Sequence, residues 1–162
     1  MLCAMEVAKY FLKKDKERNI FNQKVITIND RTLYEGNLKL NKYLFLSQVL
    51  FLSKNDKLLF ADDFLAYDNG PVIKQILNSY PIMVNNKELY EINLSDEIST
   101  FLNKIYFALE NATSEELVEI THEDPEWIKL SNNTYNAPIM NIKSHKNEYK
   151  KRYKGILEAL NI

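Results

Sequence analysis

The chain has 162 residues, 46% of them hydrophobic and 12% aromatic, enough for one domain with its own core and too few for two comfortable ones. Cys3 is the only cysteine, which excludes an intramolecular disulfide and a cysteine-rich metal site and fits a reducing, intracellular setting, so the expected location is the cytoplasm. The net charge is −1, yet residues 88–126 hold eleven acidic side chains against one Lys, while residues 143–154 hold six Lys or Arg against Glu148. The acidic block is either a solvated face neighbouring the basic tail in the fold or a docking surface for a basic protein.

Ala4, Val7, Ala8, Phe11 and Leu12 recur at i, i+3, i+4, i+7 and i+8 and predict an amphipathic first helix with a core-facing stripe. The opening Met1 to Lys16 is too short and too polar for a cleavable signal sequence. Lys24 to Ile28 and Arg31 to Glu35, rich in β-branched and aromatic residues, flank Asn29-Asp30 and predict a small hairpin. Gly36-Asn37 is expected to open a second helix from Leu38 to about Ser53, apolar nearly all round and therefore the centre of the fold. Its longest apolar run, Tyr43 to Leu52, is interrupted by Ser47 and Gln48 and is about half the roughly 20 residues of a membrane span. No membrane association is expected.

Asn69-Gly70-Pro71 predicts a helix start with Pro71 at the first helical position, continued by Val72, Ile73, Ile76, Leu77 and Tyr80 as far as Pro81. A short strand is expected at Glu88 to Ile92. Ser95 then caps a helix with the stripe Ile98, Phe101, Leu102, Ile105 and Leu109, ended by Asn111. Thr113 and Glu116 form a capping-box pattern ahead of a helix running to Glu123. Asp124 as N-cap, Pro125 at N1, Glu126 in the first turn and the only Trp, Trp127, predict a further short helix. His122 and Trp127 should then share one tight corner. The last helix, Lys146 to about Leu160, carries Tyr149, Tyr153, Ile156, Leu157 and Leu160 on one face and a basic opposite side. The expected architecture is a mainly α-helical, compact bundle with a small β-hairpin, formed by residues 1–162 as a single domain.

Few residues carry candidate chemistry. His122 near Asp124 would make a general base oriented by a carboxylate, since imidazole titrates near neutrality. No motif Ser or Cys nucleophile accompanies it, and three Gly leave little from which to build a phosphate loop. The expectation is no catalysis, with His122 in a hydrogen bond that fixes the corner. His122 and His145 are the only imidazoles and neither belongs to a ligand-spaced cluster, so no metal or cofactor is expected. Gln48, inside a buried helix, reads as a polar core contact, Gly70-Pro71-Val72 as a helix-start turn, and Lys42 as a side chain reaching solvent. Nucleic-acid binding is the alternative: Lys146, Lys150, Lys151, Arg152 and Lys154, interleaved with Tyr149 and Tyr153, would track phosphates in a DNA-binding regulator. The competing reading of the same helix is a docked apolar face with a solvated basic side.

Three ordered blocks resemble the Panacea-domain family, the SocA-like antitoxins also described as phage-associated proteins. Leu38-Lys39-Leu40-Asn41-Lys42-Tyr43-Leu44-Phe45, followed by Gln48, is similar to the family's first block. Leu59-Phe60, Asp62 or Asp63, Ala66, Tyr67 and Gly70-Pro71-Val72 resemble its second, with Tyr67 in place of the commoner Trp. Leu117, Thr121-His122 and Pro125 with Trp127 resemble its third, with Glu126 interposed. The resemblance covers about residues 38–130, and residues 19–36 read as a hairpin insertion. It implies a mainly helical fold and an antitoxin that neutralises a toxin encoded beside it by direct contact, in some members by presenting the toxin to a protease. It further implies phage or mobile-element association; the expected partner surface, which the resemblance does not fix, is the exposed parts around Tyr67 to Pro71 and the corner from His122 to Trp127.

Overall fold

Burial of one helix on every side organises the chain. A computed structural model describes residues 1–86 and 91–162, and at its centre lies α2, Glu35–Asn55, in which every residue from 40 to 53 is buried. Around it, in chain order, stand α1 (Ala4–Lys14), a hairpin of β1 (Val25–Ile28) and β2 (Arg31–Tyr34), and a second hairpin of β3 (Leu65–Tyr67) and β4 (Gly70–Val72). Then follow α3 (Lys74–Asn85), α4 (Asp96–Leu109), α5 (Ser114–His122), α6 (Pro125–Leu130) and α7 (Lys146–Ala159). The fold is mainly α-helical with two small antiparallel hairpins, in agreement with the periodicity.

The predicted stripe of α1 is its buried face: Ala4, Val7, Ala8, Phe11 and Leu12 turn inward. Phe11 meets Tyr43 of α2 edge-on, with ring centroids 5.4 Å apart. A remote carboxylate helps to begin this helix, as Asp62 Oδ1 accepts the Ala4 N–H at 2.7 Å. In the first hairpin Asn29 and Asp30 both have positive φ, 49° and 62°, the combination required by a two-residue turn whose twist matches its strands. Asn and Asp tolerate that backbone better than other residues with a Cβ. The caps also agree with the sequence: Ser95 accepts from Ile98 N–H, and Thr113 and Glu116 close a reciprocal capping box.

The structure differs from the expectations in four places. Gly36-Asn37 lies inside the first turn of α2 and does not precede it, because the glycine serves close packing: a Cβ there would stand 1.9 Å from Tyr80 Oη and 2.3 Å from the Asn22 nitrogen. Gly70-Pro71-Val72 is strand β4, paired through Tyr67 and Gly70 across the Asp68-Asn69 turn, and α3 begins only at Lys74. The chain stays extended here because the Ile73 N–H is held by Asn41 Oδ1 at 2.9 Å. Pro81 sits within α3 and does not end it; the carbonyl of Leu77, deprived of the N–H that Pro81 lacks, accepts instead from Asn37 Nδ2 at 3.0 Å. Finally, α7 buries Tyr149 and Tyr153 against α2 but leaves Ile156 47% exposed, so its core face is narrower than the apolar pattern. The strand expected at Glu88 to Ile92 falls largely on residues outside those described. Among the described residues no helix is long and apolar enough to cross a membrane.

The contrast between two glycines is measurable. Gly36→Ala should lower stability to urea by about 2–4 kcal/mol through overpacking against Tyr80 and Asn22. Gly155→Ala, in α7 with open space around its Cβ position, should raise stability by about 0.5–1 kcal/mol in the same measurement.

Candidate functional site

The three sequence blocks converge on the second hairpin. Its backbone carbonyls are gripped in turn by side chains from three helices: Pro71 by Lys42 Nζ at 3.0 Å, Asp68 by His122 Nε2 at 2.8 Å and Tyr67 by Trp127 Nε1 at 2.8 Å. Gly70 lies closest of all, with φ +105°, and a Cβ there would meet Thr121 Oγ1 at 2.5 Å and Lys42 Cε at 3.2 Å. The glycine is therefore required both by its backbone angle and by the approach of α2 and α5. Thr121 is fully buried and donates to the Val118 carbonyl at 3.0 Å.

Lys42 corrects a sequence expectation, since it does not reach solvent: it is 1% exposed. A helix enclosed on all sides has no solvent face to offer it, and its head lies beneath the hairpin. Burial alone pushes its amine down to about 7 from the ordinary lysine value. Gln48, by contrast, is a polar core contact, accepting from Leu59 N–H at 2.8 Å and donating to the Phe60 carbonyl at 2.8 Å.

His122 and Trp127 meet in one corner, their rings stacked 3.9 Å apart at 12°. Nε2 of His122 faces a carbonyl and therefore carries the proton. Burial first, and the neighbouring Lys42, hold this imidazole below its usual value, against the opposing pull of the Asp68 carbonyl and carboxylate. Asp124 is not the partner of His122. One of its oxygens accepts from Glu126 and Trp127 N–H at 3.0 and 2.9 Å, and the other from the Tyr149 hydroxyl at 2.7 Å, so it caps α6 and ties it to α7. Pro125 occupies the first turn of α6, as its missing N–H allows. The buried Glu126 accepts from Asn141 N–H at 2.5 Å and His145 Nε2 at 3.0 Å, while His145 Nδ1 bonds Glu148 at 2.7 Å. Burial opposes the charge on His145, but the hydrogen bonds and charges of Glu148 and Glu126 outweigh it and raise the imidazole above its usual value.

Several residues of this site were not singled out by sequence. Asp68 joins both neighbours of the hairpin: its carboxylate binds Arg31 at 2.7 Å and accepts from the Thr134 hydroxyl at 2.5 Å, and these contacts hold it below the usual carboxylate range. Asn29 of the first hairpin donates to Asn69 Oδ1 at 2.8 Å. The two hairpins and the 3-10 turn Ser131–Asn136 thereby enclose a groove of about 390 Å³, with Lys42, Leu38 and Val72 in its lining and Tyr67 and Tyr135 on its walls. The one signal available beforehand was a lysine within a helix apolar all round. Among the described residues no three His, Cys, Asp or Glu gather as a metal site would need.

The basic helix stands apart from this site. Lys146 and Lys150 pair with Asp56, the first at 3.5 Å, and Arg152 pairs with Glu123 at 3.0 Å, whereas Lys151 and Lys154 are exposed. The family model described as antitoxin SocA-like, Panacea domain, matches residues 40–128. No curated protein and no solved structure matches the chain.

Two titrations test the electrostatics. The folded amine of Lys42 loses its proton near pH 7 and the unfolded one near about 10.4, so unfolding takes up a proton between those values and stability gains from rising pH there. Lys42→Met should therefore be more stable at neutral pH, by about 2–4 kcal/mol, with the advantage shrinking as pH rises from about 7 towards about 10. His145 works in the opposite sense: its raised folded value makes its contribution complete below about pH 6.5 and lost as pH climbs through that folded value. His145→Gln should flatten this part of the stability profile measured by chemical denaturation.

Proposed function

The chain belongs to the Panacea-domain family of SocA-like antitoxins, and on that premise we propose that it neutralises a partner toxin by direct protein contact. The observation that carries the reading is the family match over residues 40–128, more than half of the chain, whose motif residues here converge on one hairpin. These residues point inward and make the scaffold; what they present outward is the hairpin turn, the groove beside it and the His122 to Trp127 corner. That arrangement suits a binding surface. His122 and Asp124 engage different partners, a carbonyl and a helix cap, which supports a role without catalysis, metal or cofactor.

Under this reading the protein acts in the cytoplasm as a single domain carried on a phage or mobile element, and delivery of the captured toxin to a protease is a compatible outcome. The pairing of Lys146, Lys150 and Arg152 with the chain's own carboxylates favours toxin binding over the DNA-binding alternative, because those cations already have counter-ions. Co-expression with the product of the neighbouring gene tests the proposal: a neighbour that is harmful alone should be rendered harmless and should co-purify with the chain. A harmful neighbour that is neither rescued nor bound would overturn it.

A further inference from the structure

Lys42 is the part of the site that the fold leaves incomplete. Its head has the Pro71 carbonyl as acceptor, yet among the described residues it takes part in no ion pair. Holding one carbonyl needs only a neutral donor; a lysine offers three N–H groups and imposes the cost of a buried charge. The same side chain forms part of the lining of the groove between the hairpins. Arg31 stands in that lining as well, its side chain 63% exposed and its guanidinium paired with Asp68. Among the described residues Asp68 is the one carboxylate that lines the groove, and Thr134 and Arg31 already engage it. His122, the other titratable group that senses Lys42, is itself disfavoured as a cation. Leu33, Leu38 and Val72 supply an apolar wall beside these polar groups.

A buried amine with no counter-ion among the described residues, in the lining of a groove with apolar sides, is complementary to one negative charge carried on a short aliphatic arm, which would favour its ammonium form. We propose that the groove receives an acidic side chain, Glu or Asp, of the protein partner, whose carboxylate pairs with the Lys42 ammonium while its methylenes lie against Leu38 and Val72. This deepens the antitoxin reading and rests on it for the identity of the partner, but the carboxylate site itself belongs to this chain. It also gives a reason for a lysine in an enclosed helix: the cost of burying the amine unpaired is relieved when the partner binds.

The full chain, isotope-labelled at lysine, is titrated with propionate, the side-chain analogue of glutamate, and separately with propionamide. Propionate should move the Lys42 ε-methylene resonance, identified by its loss in Lys42→Met, in a saturable manner, and propionamide should not. Absence of a propionate-specific shift overturns the site. In parallel, Lys42→Met, which is expected to fold with raised stability, should bind the neighbouring gene product roughly 30-fold or more weakly than the unaltered chain. Wild-type affinity in that stable variant would overturn the pairing and leave the antitoxin reading standing. Failure of the unaltered chain to bind its neighbour would instead overturn that reading, and with it the protein origin of the carboxylate.

Discussion

Complete enclosure of α2 is the constraint from which the rest of the structure follows. A helix without a solvent face over residues 40–53 has to meet its polar side chains from within the protein, because an unmet buried donor or acceptor costs about 1–3 kcal/mol, and the Tyr43 hydroxyl stays without a partner. Here Asn37, Asn41, Lys42 and Gln48 reach, respectively, the Leu77 carbonyl, the Ile73 N–H, the Pro71 carbonyl and the backbone at Leu59 and Phe60. The path of residues 59–77 is thus pinned at four points along one helix. Apolar contacts hold the helices against α2, and these polar contacts decide where the intervening loops lie.

The second hairpin shows how such pinning substitutes for intrinsic stability. Its strands are three residues long, too short to persist alone in water. It is held in place by donors from α2, α5 and α6 on the carbonyls of Pro71, Asp68 and Tyr67, by Ala66 N–H on the Pro138 carbonyl at 2.9 Å and by Met140 N–H on the Phe64 carbonyl at 2.8 Å. Around it the Asp68-Asn69 turn collects the first hairpin and the 3-10 turn. Each wall of the site is thereby tied to one short turn.

What was legible in the sequence follows from where the determining interactions lie along the chain. The stripe of α1, the Thr113 and Glu116 capping box, the Asp124 cap and the Asn29-Asp30 turn are set by residues within four positions of their neighbours, and each appears as read. The start of α3, the passage of that helix through Pro81 and the burial of Lys42 depend on partners 29 to 40 residues away: Asn41 on Ile73, Asn37 on Leu77, Lys42 on Pro71. Local rules for Gly-Pro and Pro placed a helix boundary where long-range hydrogen bonds supply what the local backbone lacks. The site residues carried by family blocks were visible in order, whereas Asp68, Asn69, Arg31 and Thr134 acquire their roles only through the meeting of segments distant in sequence.

The groove is assembled from two sources. Lys42, Tyr67, Asp68 and Val72 fall within residues 40–128 matched to the family, whereas Arg31, Thr32, Leu33, Thr134 and Tyr135 lie outside that stretch. The inner surface is thus built on the enclosed helix and the second hairpin, while strand β2 and the 3-10 turn Ser131–Asn136 contribute the two lips. On the proposed reading the anchoring lysine and the outline of the groove thus come from different parts of the chain, the anchor from the matched stretch and the rim from segments on either side of it.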